Sequence, residues 1–317
     1  MADARVYRVC GIRLESAIAL PELTAVTGGR ADCAFAVSRA PVPTDDVLWF
    51  HRWGLKSRRT WLRIGRGREG YVLRFSEFGD FQVSACGRRI VAHAAQALPP
   101  ATLRHLLLDQ VLPLALGRMG RTAIHASAVH VPRLGVVAFA GRTGCGKSTL
   151  AAALARAGCA VLSDDCLVIA VRSGGVWATP SYPGVRLWPD AASRLGYRGR
   201  LVAHYSDKVR VATGGLPSGA RPARLRALFL LSPPSASRGV SVSARRPLEA
   251  FIGLTRSAYL LDIEDRTGLA RLFNELGVLS ERVPMAALRL PQDGGRLAEL
   301  AREVREAAGR LVNAVSC

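Results

Sequence analysis

The segment Gly141–Ser148, with the sequence GRTGCGKS, has the residue types and spacing of a phosphate-binding loop. Its glycines allow the backbone to turn tightly and to point amide groups at phosphate oxygens. Lys147 supplies a compact positive charge for the β- and γ-phosphates, and Ser148 supplies a hydroxyl ligand for Mg²⁺. The pattern therefore predicts binding of ATP or a related nucleoside triphosphate together with Mg²⁺. The residues expected to contact the nucleotide are Gly141, Arg142, Thr143, Gly144, Cys145, Gly146, Lys147, Ser148 and Thr149.

Two aspartates follow the next predicted strand, CAVLS, as Asp164 and Asp165. In an open α/β sheet the carboxyl ends of neighbouring strands border one crevice, so we expect this pair near the γ-phosphate. One carboxylate can accept the proton of an attacking hydroxyl while the other binds or orients the metal. The sequence leaves open which aspartate has which role; we take Ser148 and Asp165 as the predicted metal ligands.

Further candidates for the reaction centre lie on both sides of the loop. His125 is in the predicted strand that precedes the loop strand and can face the same crevice. Lys208 and Arg210 are two residues apart in SDKVRV, so on an extended strand they share a face and can neutralise charge on a transferring phosphate. A solvated surface strand is the alternative for this pair. Arg186, in PGVRLW, suits either a phosphate or ordinary packing.

The elements around the loop alternate between strand and helix. An apolar run, Leu134–Ala140, leads into the loop, and an Ala/Leu-rich helix predicted from Lys147 to Ala157 is ended by Gly158. This β-α-β order predicts a mostly parallel sheet with a covering helix. Later, RLRALFLLS has the pattern of a buried strand, and the stretches 247–276 and 296–311 have that of amphipathic helices.

The amino-terminal third of the chain has a different pattern. From Arg5 to about Ala94, short alternating runs are separated by Gly, Pro and Asp, which predicts an antiparallel β-rich unit. Two prolines at 99 and 100 are then followed by leucines at helical spacing, with a kink or an end near Pro113. We therefore predict an α/β protein with a smaller β-rich N-terminal domain (1–100), a connecting helix (101–120) and a P-loop kinase domain (121–317).

Composition restricts the function classes. The net charge is +20, yet only three of the positive residues are lysines and the arginines are scattered, so we expect no nucleic-acid partner. The seven cysteines form no CxxC pair, which is typical of reduced thiols and predicts no structural metal. The start lacks a signal-peptide pattern, and the apolar runs are shorter than the roughly 20 residues of a membrane span. We therefore expect a cytoplasmic protein without a membrane partner.

Together, His125, the strand into GRTGCGKST, the helix ending ARAGCAVL and the pair Asp164–Asp165 resemble the kinase core of the HPr kinase/phosphorylase family, especially its shorter HPr-kinase-related members. The resemblance covers roughly Arg121–Lys208. It implies a P-loop kinase core of that type and an ATP- and Mg²⁺-dependent serine kinase acting on a peptide or protein. It also implies that His125 and the aspartate pair lie at the reaction centre.

The chain departs from this family at two points. Thr149 follows Ser148 where the family has glutamate, and PSYPGVRLWPD (180–190) stands in the region of the family's second signature. HPr as the substrate and the reverse phosphorolysis are therefore not expected. Related kinases are encoded with ribosomally made peptides, including lasso peptides, and phosphorylate a serine near the precursor's carboxyl terminus. That is our preferred substrate class.

Three other functions remain compatible with the residues. A nucleic-acid-dependent NTPase would show ATP hydrolysis stimulated by DNA or RNA. A small-molecule kinase would use the same site with a different hydroxyl. A non-catalytic nucleotide-sensing protein would bind ATP tightly without turnover. A homo-oligomer is also compatible with the sequence.

Overall fold

The computed structural model describes residues 5–54, 60–94, 98–182, 184–203, 206–217, 219–236, 239–291 and 297–314. Over these residues the protein is a mixed α/β structure with three β-sheets. None of the helices in these ranges combines the length and the apolar character that crossing a membrane requires.

The first sheet is formed by the amino-terminal part of the chain. Its strands are β1 Arg5–Val9, β2 Ile12–Ser16, β3 Thr24–Ala25, β4 Cys33–Val37, β5 Leu48–Gly54, β6 Thr60–Gly67, β7 Gly70–Phe75, β8 Gly79–Ser84 and β9 Arg89–Ala94. They lie in the order β3-β1-β2-β4-β9-β8-β7-β6-β5. Most neighbours are antiparallel, as predicted, whereas β4 is parallel to both β2 and β9. Alternating burial along β2 shows that one face packs on a core.

A helical segment follows this sheet and packs against it. It consists of α1 Pro100–His105, a π-helical stretch Leu106–Val111, and α2 Leu112–Arg118. Leu106 and Leu107 are fully buried in one apolar core that also contains side chains of the first sheet. The predicted helix is therefore present, but Pro113 lies in the first turn of α2 and does not end it. The helical segment departs from regular α-helical hydrogen bonding before Pro113, in the π-helical stretch. The division into separate domains stays a prediction.

The remaining strands form the second and third sheets. They are β10 Thr122–Ile124, β11 Ala126–Val131, β12 Gly135–Gly141, β13 Ala160–Ser163, β14 Leu167–Arg172, β15 Gly175–Thr179, β16 Val185–Leu187, β17 Gly199–Ala203, β18 Ser206–Val211, β19 Ala223–Ser235, β20 Ser241–Ala244 and β21 Met285–Pro291. The second sheet has the order β10-β14-β15-β19-β12-β11-β13, with β21 beside β19 and β20 beside β21. The third sheet has the order β16-β18-β17.

The second sheet is mixed, which corrects the prediction of a mostly parallel sheet. Strands β12, β19 and β21 are parallel neighbours, but β11 is antiparallel to both β12 and β13. The reason is the short connection between Val131 and Gly135, which forms a tight hairpin and so reverses the chain. A helix of ten residues connects β12 to β13, and this longer crossover lets the two strands run in the same direction.

Helices cover both faces of this sheet. They are α3 Lys147–Arg156, α5 Pro247–Thr255, α6 Arg266–Arg282 and α7 Leu297–Asn313, while α4 Pro189–Arg194 packs against β18 of the third sheet. Buried side chains of α3 and α7 belong to one core, and those of α5 and α6 belong to another. The predicted amphipathic helices are thus present, although the stretch 247–276 contains two helices. Asp265 separates them, since its side chain caps α6 by accepting a hydrogen bond from the Gly268 amide.

Candidate active site

The loop Gly141–Ser148 connects the end of β12 to the start of α3. Gly141 has φ +146°, and a Cβ there would lie 2.7 Å from the carbonyl oxygen of Leu231 on the adjacent strand. Gly146 has φ +92° immediately before the helix. Only glycine adopts such conformations at low cost, so these two positions explain how the strand turns directly into the helix.

The start of α3 is open to an anion. Arg142, Thr143 and Gly144 are exposed at the tip of the loop, whereas Cys145 is buried in the core beneath it. Gly146 is the N-cap of α3, and no side-chain hydrogen bond caps the helix there in the described part of the chain. The first amide groups of a helix lack partners within the helix, and the helix dipole adds positive potential. This end of α3 therefore suits a phosphate group.

Lys147 is buried at the base of the loop. Its ammonium group donates hydrogen bonds to the carbonyl oxygens of Gly141 (2.8 Å) and Arg142 (3.2 Å). Burial lowers the pKa of Lys147, and nearby Lys208 lowers it further, while Asp164 opposes the shift. The side chain thus spans the loop that the phosphates would enter.

Asp164 is joined to the loop by hydrogen bonds. Only 2% of the residue is exposed. Its Oδ1 accepts hydrogen bonds from the hydroxyls of Ser127 (2.6 Å) and Ser148 (2.8 Å), and its Oδ2 accepts one from the backbone amide of Arg186 (2.9 Å). A buried carboxylate requires such partners, because leaving it without them would cost the desolvation energy of a charge.

The antiparallel strand β11 explains why Ser127 takes part. Since β11 lies between β12 and β13 and runs opposite to both, it begins at the edge of the sheet where they end. Its first residues therefore meet the phosphate loop and the aspartate pair. A fully parallel sheet would have placed the start of β11 at the opposite edge.

Asp165 faces different partners from Asp164. It has φ +63°, a left-handed conformation that is uncommon for a residue other than glycine. Its carboxylate forms an ion pair with the Arg186 guanidinium, and its Oδ1 lies 3.3 Å from His125 Nε2. The sequence paired Ser148 with Asp165 as metal ligands, but the hydroxyl of Ser148 contacts Asp164.

His125 lies at the break between β10 and β11, not within a strand as predicted. Its ring stacks on Tyr259, with the centroids 6.1 Å apart, and the Tyr259 hydroxyl donates a hydrogen bond to the Asp165 carbonyl oxygen (3.1 Å). Burial lowers the pKa of His125 to about 3, and the positive charge of Lys147 contributes to the shift. The imidazole is therefore neutral near pH 7, and its Nε2–H can donate to Asp165.

Lys208 and Arg210 both lie on β18 but have different neighbours. The Lys208 ammonium lies 5.7 Å from the centre of the Trp188 ring, and burial together with the charge of Arg186 lowers its pKa. The Arg210 guanidinium instead lies 3.5 Å from Asp109 Oδ2. Of the predicted cationic pair, Lys208 lowers the pKa of the loop lysine, whereas Arg210 pairs with buried Asp109.

Several residues of this site were not identified from the sequence. Arg186, which sequence analysis left undecided, contacts both aspartates. Ser127 is two residues after His125, a spacing that an extended strand could have suggested. Tyr259 comes from a distant segment whose sequence contains no such signal.

Comparisons with known proteins add little to this description. No known family model matches the chain, and no curated protein matches it significantly. Among solved structures, it is similar to the structure of the Hpr(Ser) kinase/phosphatase from Coxiella burnetii, with 13% sequence identity and a TM-score of 0.33. That match covers 61% of this chain and 94% of the other.

Proposed function

We propose that this protein binds a nucleoside triphosphate at Gly141–Thr149 and transfers its γ-phosphoryl group to a serine hydroxyl of a peptide or protein. The observation that carries the proposal is the 2.8 Å hydrogen bond from Ser148 to Asp164. It joins the end of the proposed phosphate loop to the acidic pair, so the groups that would hold the phosphates lie next to those that would activate an acceptor.

The loop has the features that triphosphate binding requires. A Cβ at Gly144 would meet no protein atom within 4 Å, so the tip of the loop borders open space. Lys147 already donates to two carbonyl oxygens of the loop and can exchange these for phosphate oxygens. Lys208 adds a second positive charge, and burial lowers the pKa of this lysine as it does that of Lys147. These charges stabilise the negative charge that develops during phosphoryl transfer.

The residues also fit Mg²⁺. This cation prefers oxygen ligands and, with a nucleotide, takes only one or two carboxylates from the protein. The Ser148 hydroxyl and the Asp164 carboxylate are such donors, and we place the metal with them in preference to Asp165. When bound, Mg²⁺ would neutralise charge on the phosphate oxygens.

Asp165 is then the carboxylate available to the acceptor. Its Oδ1 would take the proton of the attacking serine hydroxyl, and neutral His125, 3.3 Å away, would orient it by donating from Nε2. Arg186 holds the other carboxylate oxygen. Two adjacent aspartates therefore divide the work: one orients the loop serine, and the other receives a proton.

Two considerations narrow the proposed phosphate acceptor: the charge of the protein and the motif resemblance of the residues around the loop. A net charge of +20 attracts an acidic peptide as well as the triphosphate. Within that class, we propose a serine near the carboxyl terminus of a ribosomally made precursor, such as that of a lasso peptide. This choice depends on the motif resemblance of the residues around the loop.

Phosphoryl transfer from γ-labelled ATP to serine-bearing peptides tests the proposal. The wild-type protein with Mg²⁺ should label a serine, and Asp164→Asn should bind nucleotide but lose transfer. Asp190→Asn is a matched control, because this aspartate side chain is 70% exposed and pairs only with Arg194 among the described residues. Undiminished transfer by the double variant Asp164→Asn plus Asp165→Asn would refute the mechanism.

A further inference from the structure

A buried charged cluster lies next to the site and is contributed by three separate parts of the chain. Asp109 belongs to the π-helical stretch and is buried. One of its carboxylate oxygens accepts a hydrogen bond from the Tyr182 hydroxyl. The other contacts His105 Nδ1 and lies 3.8 Å from Arg186 Nη1 and 3.5 Å from Arg210 Nη2.

The protonation states within the cluster are mutually consistent. Burial alone would raise the pKa of Asp109, but Arg186, His105 and Arg210 together hold it well below its usual range. Burial lowers the pKa of His105, so its imidazole is neutral. A neutral imidazole that donates from Nδ1 to Asp109 has an acceptor at Nε2. Arg186 Nη1 lies 3.0 Å from that atom and 3.3 Å from Nδ1, so the guanidinium group packs against the imidazole ring.

Arg186 is therefore held from two sides. Asp109 and His105 contact one terminal nitrogen of its guanidinium, and the other terminal nitrogen contacts the Asp165 carboxylate. Its backbone amide donates to Asp164. An arginine side chain has many rotamers, so a fixed direction requires an anchor at its far end.

We propose that Asp109 and His105 are positioning residues that hold Arg186 against Asp165 and so connect the helical segment to the reaction centre. The proposal rests on the proposed function, because the value of a fixed Arg186 is to orient the proton-accepting carboxylate. The π-helical stretch supports it. Such irregular turns are rare in helices and are frequent at functional sites, and this one contains Asp109, the carboxylate that contacts Arg186.

The first readout is the reactivity of Arg186 toward phenylglyoxal, measured by peptide mass spectrometry. In the wild-type protein the Arg186 side chain is 11% exposed and should react slowly, whereas Arg194, 49% exposed, is an internal reference. Asp109→Asn should make Arg186 several-fold more reactive relative to Arg194. Unchanged relative reactivity of Arg186 would overturn the proposal, whatever the catalytic activity.

The second readout is the steady-state kinetics of phosphoryl transfer. Displacing a catalytic group by about 1 Å costs about 10²-fold in rate, so Asp109→Asn should lower kcat about 10²-fold and change the nucleotide KM by less than about 3-fold. Asp109→Glu should recover part of the loss. Leu107→Ala is the matched control, because Leu107 lies in the same helical stretch, is fully buried and contributes only apolar packing.

The outcomes separate the two proposals. If Leu107→Ala lowers kcat as much as Asp109→Asn, the cluster acts only through folding and the positioning role is wrong. If the wild-type protein transfers no phosphate to any peptide, the proposed function fails, and phenylglyoxal labelling still decides whether Asp109 holds Arg186. Should Asp109→Asn not fold, Asp109→Glu and His105→Gln answer the same labelling question.

Discussion

Replacing the buried carboxylate of Asp164 tests the hydrogen-bonding arrangement at the centre of the site. Asparagine has the same shape but only one acceptor oxygen, and its amide nitrogen donates. The amide oxygen must face the Arg186 backbone amide, which has no freedom to rotate. The amide nitrogen then faces Ser127 and Ser148, whose hydroxyls can rotate to accept. Asp164→Asn thus retains a partner for every buried group but loses the charge-assisted character of three hydrogen bonds.

The expected cost follows from these partners. A hydrogen bond to a charged group contributes about 1.5 to 3 kcal/mol and a neutral one about 1 kcal/mol, so reorganisation around asparagine should cost about 2 kcal/mol overall. Asp164→Ala removes every acceptor and leaves the Arg186 amide buried without a partner, which adds about 1 to 3 kcal/mol. Alanine should therefore be clearly more destabilising than asparagine at this position.

Equilibrium unfolding in urea measures both free energies. The comparison is valid when the dependence on urea concentration is the same for all variants, since a change in slope would indicate a different denatured state. Asp190→Asn, at an exposed position, should leave the free energy of unfolding within about 0.5 kcal/mol of the wild type. Equal stability of Asp164→Asn and Asp164→Ala would refute the hydrogen-bonding scheme described for this carboxylate.

Three more predictions concern the loop, the histidine and the tyrosine. Gly141→Ala should lower the free energy of unfolding in urea by about 3 kcal/mol, because it adds a steric clash to a strained φ. Gly144→Ala, at φ +90° in open space, should lower it by about 1 to 2 kcal/mol and reduce nucleotide affinity. Equal losses for the two variants would contradict this. His125 is protonated in the unfolded chain below about pH 6.5, the ordinary histidine pKa, but stays neutral in the folded chain down to about pH 3. Stability should therefore fall as pH decreases through this window, and the fall between about pH 7 and about pH 5 should be smaller in His125→Gln than in the wild type; an equal fall in both would contradict the shift. Tyr259→Phe keeps the ring and removes one hydrogen bond worth about 1 kcal/mol, so it should lower kcat several-fold while nucleotide Kd is unchanged. A parallel loss of nucleotide binding would show that the hydroxyl acts on the loop instead.

Much of the local structure was predictable because it depends on residues close together in the chain. The helix after the loop begins at Lys147 and ends at Arg156, next to Gly158, as its glycines and its Ala/Leu content indicated. The strand RLRALFLLS lies parallel to the loop strand, as a buried run in an α/β pattern suggests. The direction of β11 differs from the mostly parallel sheet that the β-α-β pattern predicts, because the connection from β11 to β12 is too short for a parallel crossover.

Contacts between residues far apart in the chain were harder to predict from the sequence. Sequence analysis placed the two aspartates near Ser148 but could not assign their partners, because the left-handed conformation of Asp165 directs two adjacent side chains to different neighbours. It also grouped Lys208 with Arg210 by alternation along one strand. The structure gives them different neighbours, since Arg210 lies 3.5 Å from Asp109 Oδ2 whereas the Lys208 ammonium lies 5.7 Å from the centre of the Trp188 ring.

The sequence by itself determined the glycine-rich turn at Gly141–Ser148, the helix that follows it and the presence of an acidic pair, because positive-φ glycines, helix propensity and side-chain chemistry act over a few residues. Only the tertiary structure decided that Asp164 accepts from Ser148, that Asp165 faces His125, and that Asp109 lies 3.8 Å from Arg186. Those contacts join segments far apart in the chain. Their geometry depends on strand order, register and the packing of the helical segment, which short-range sequence patterns do not specify.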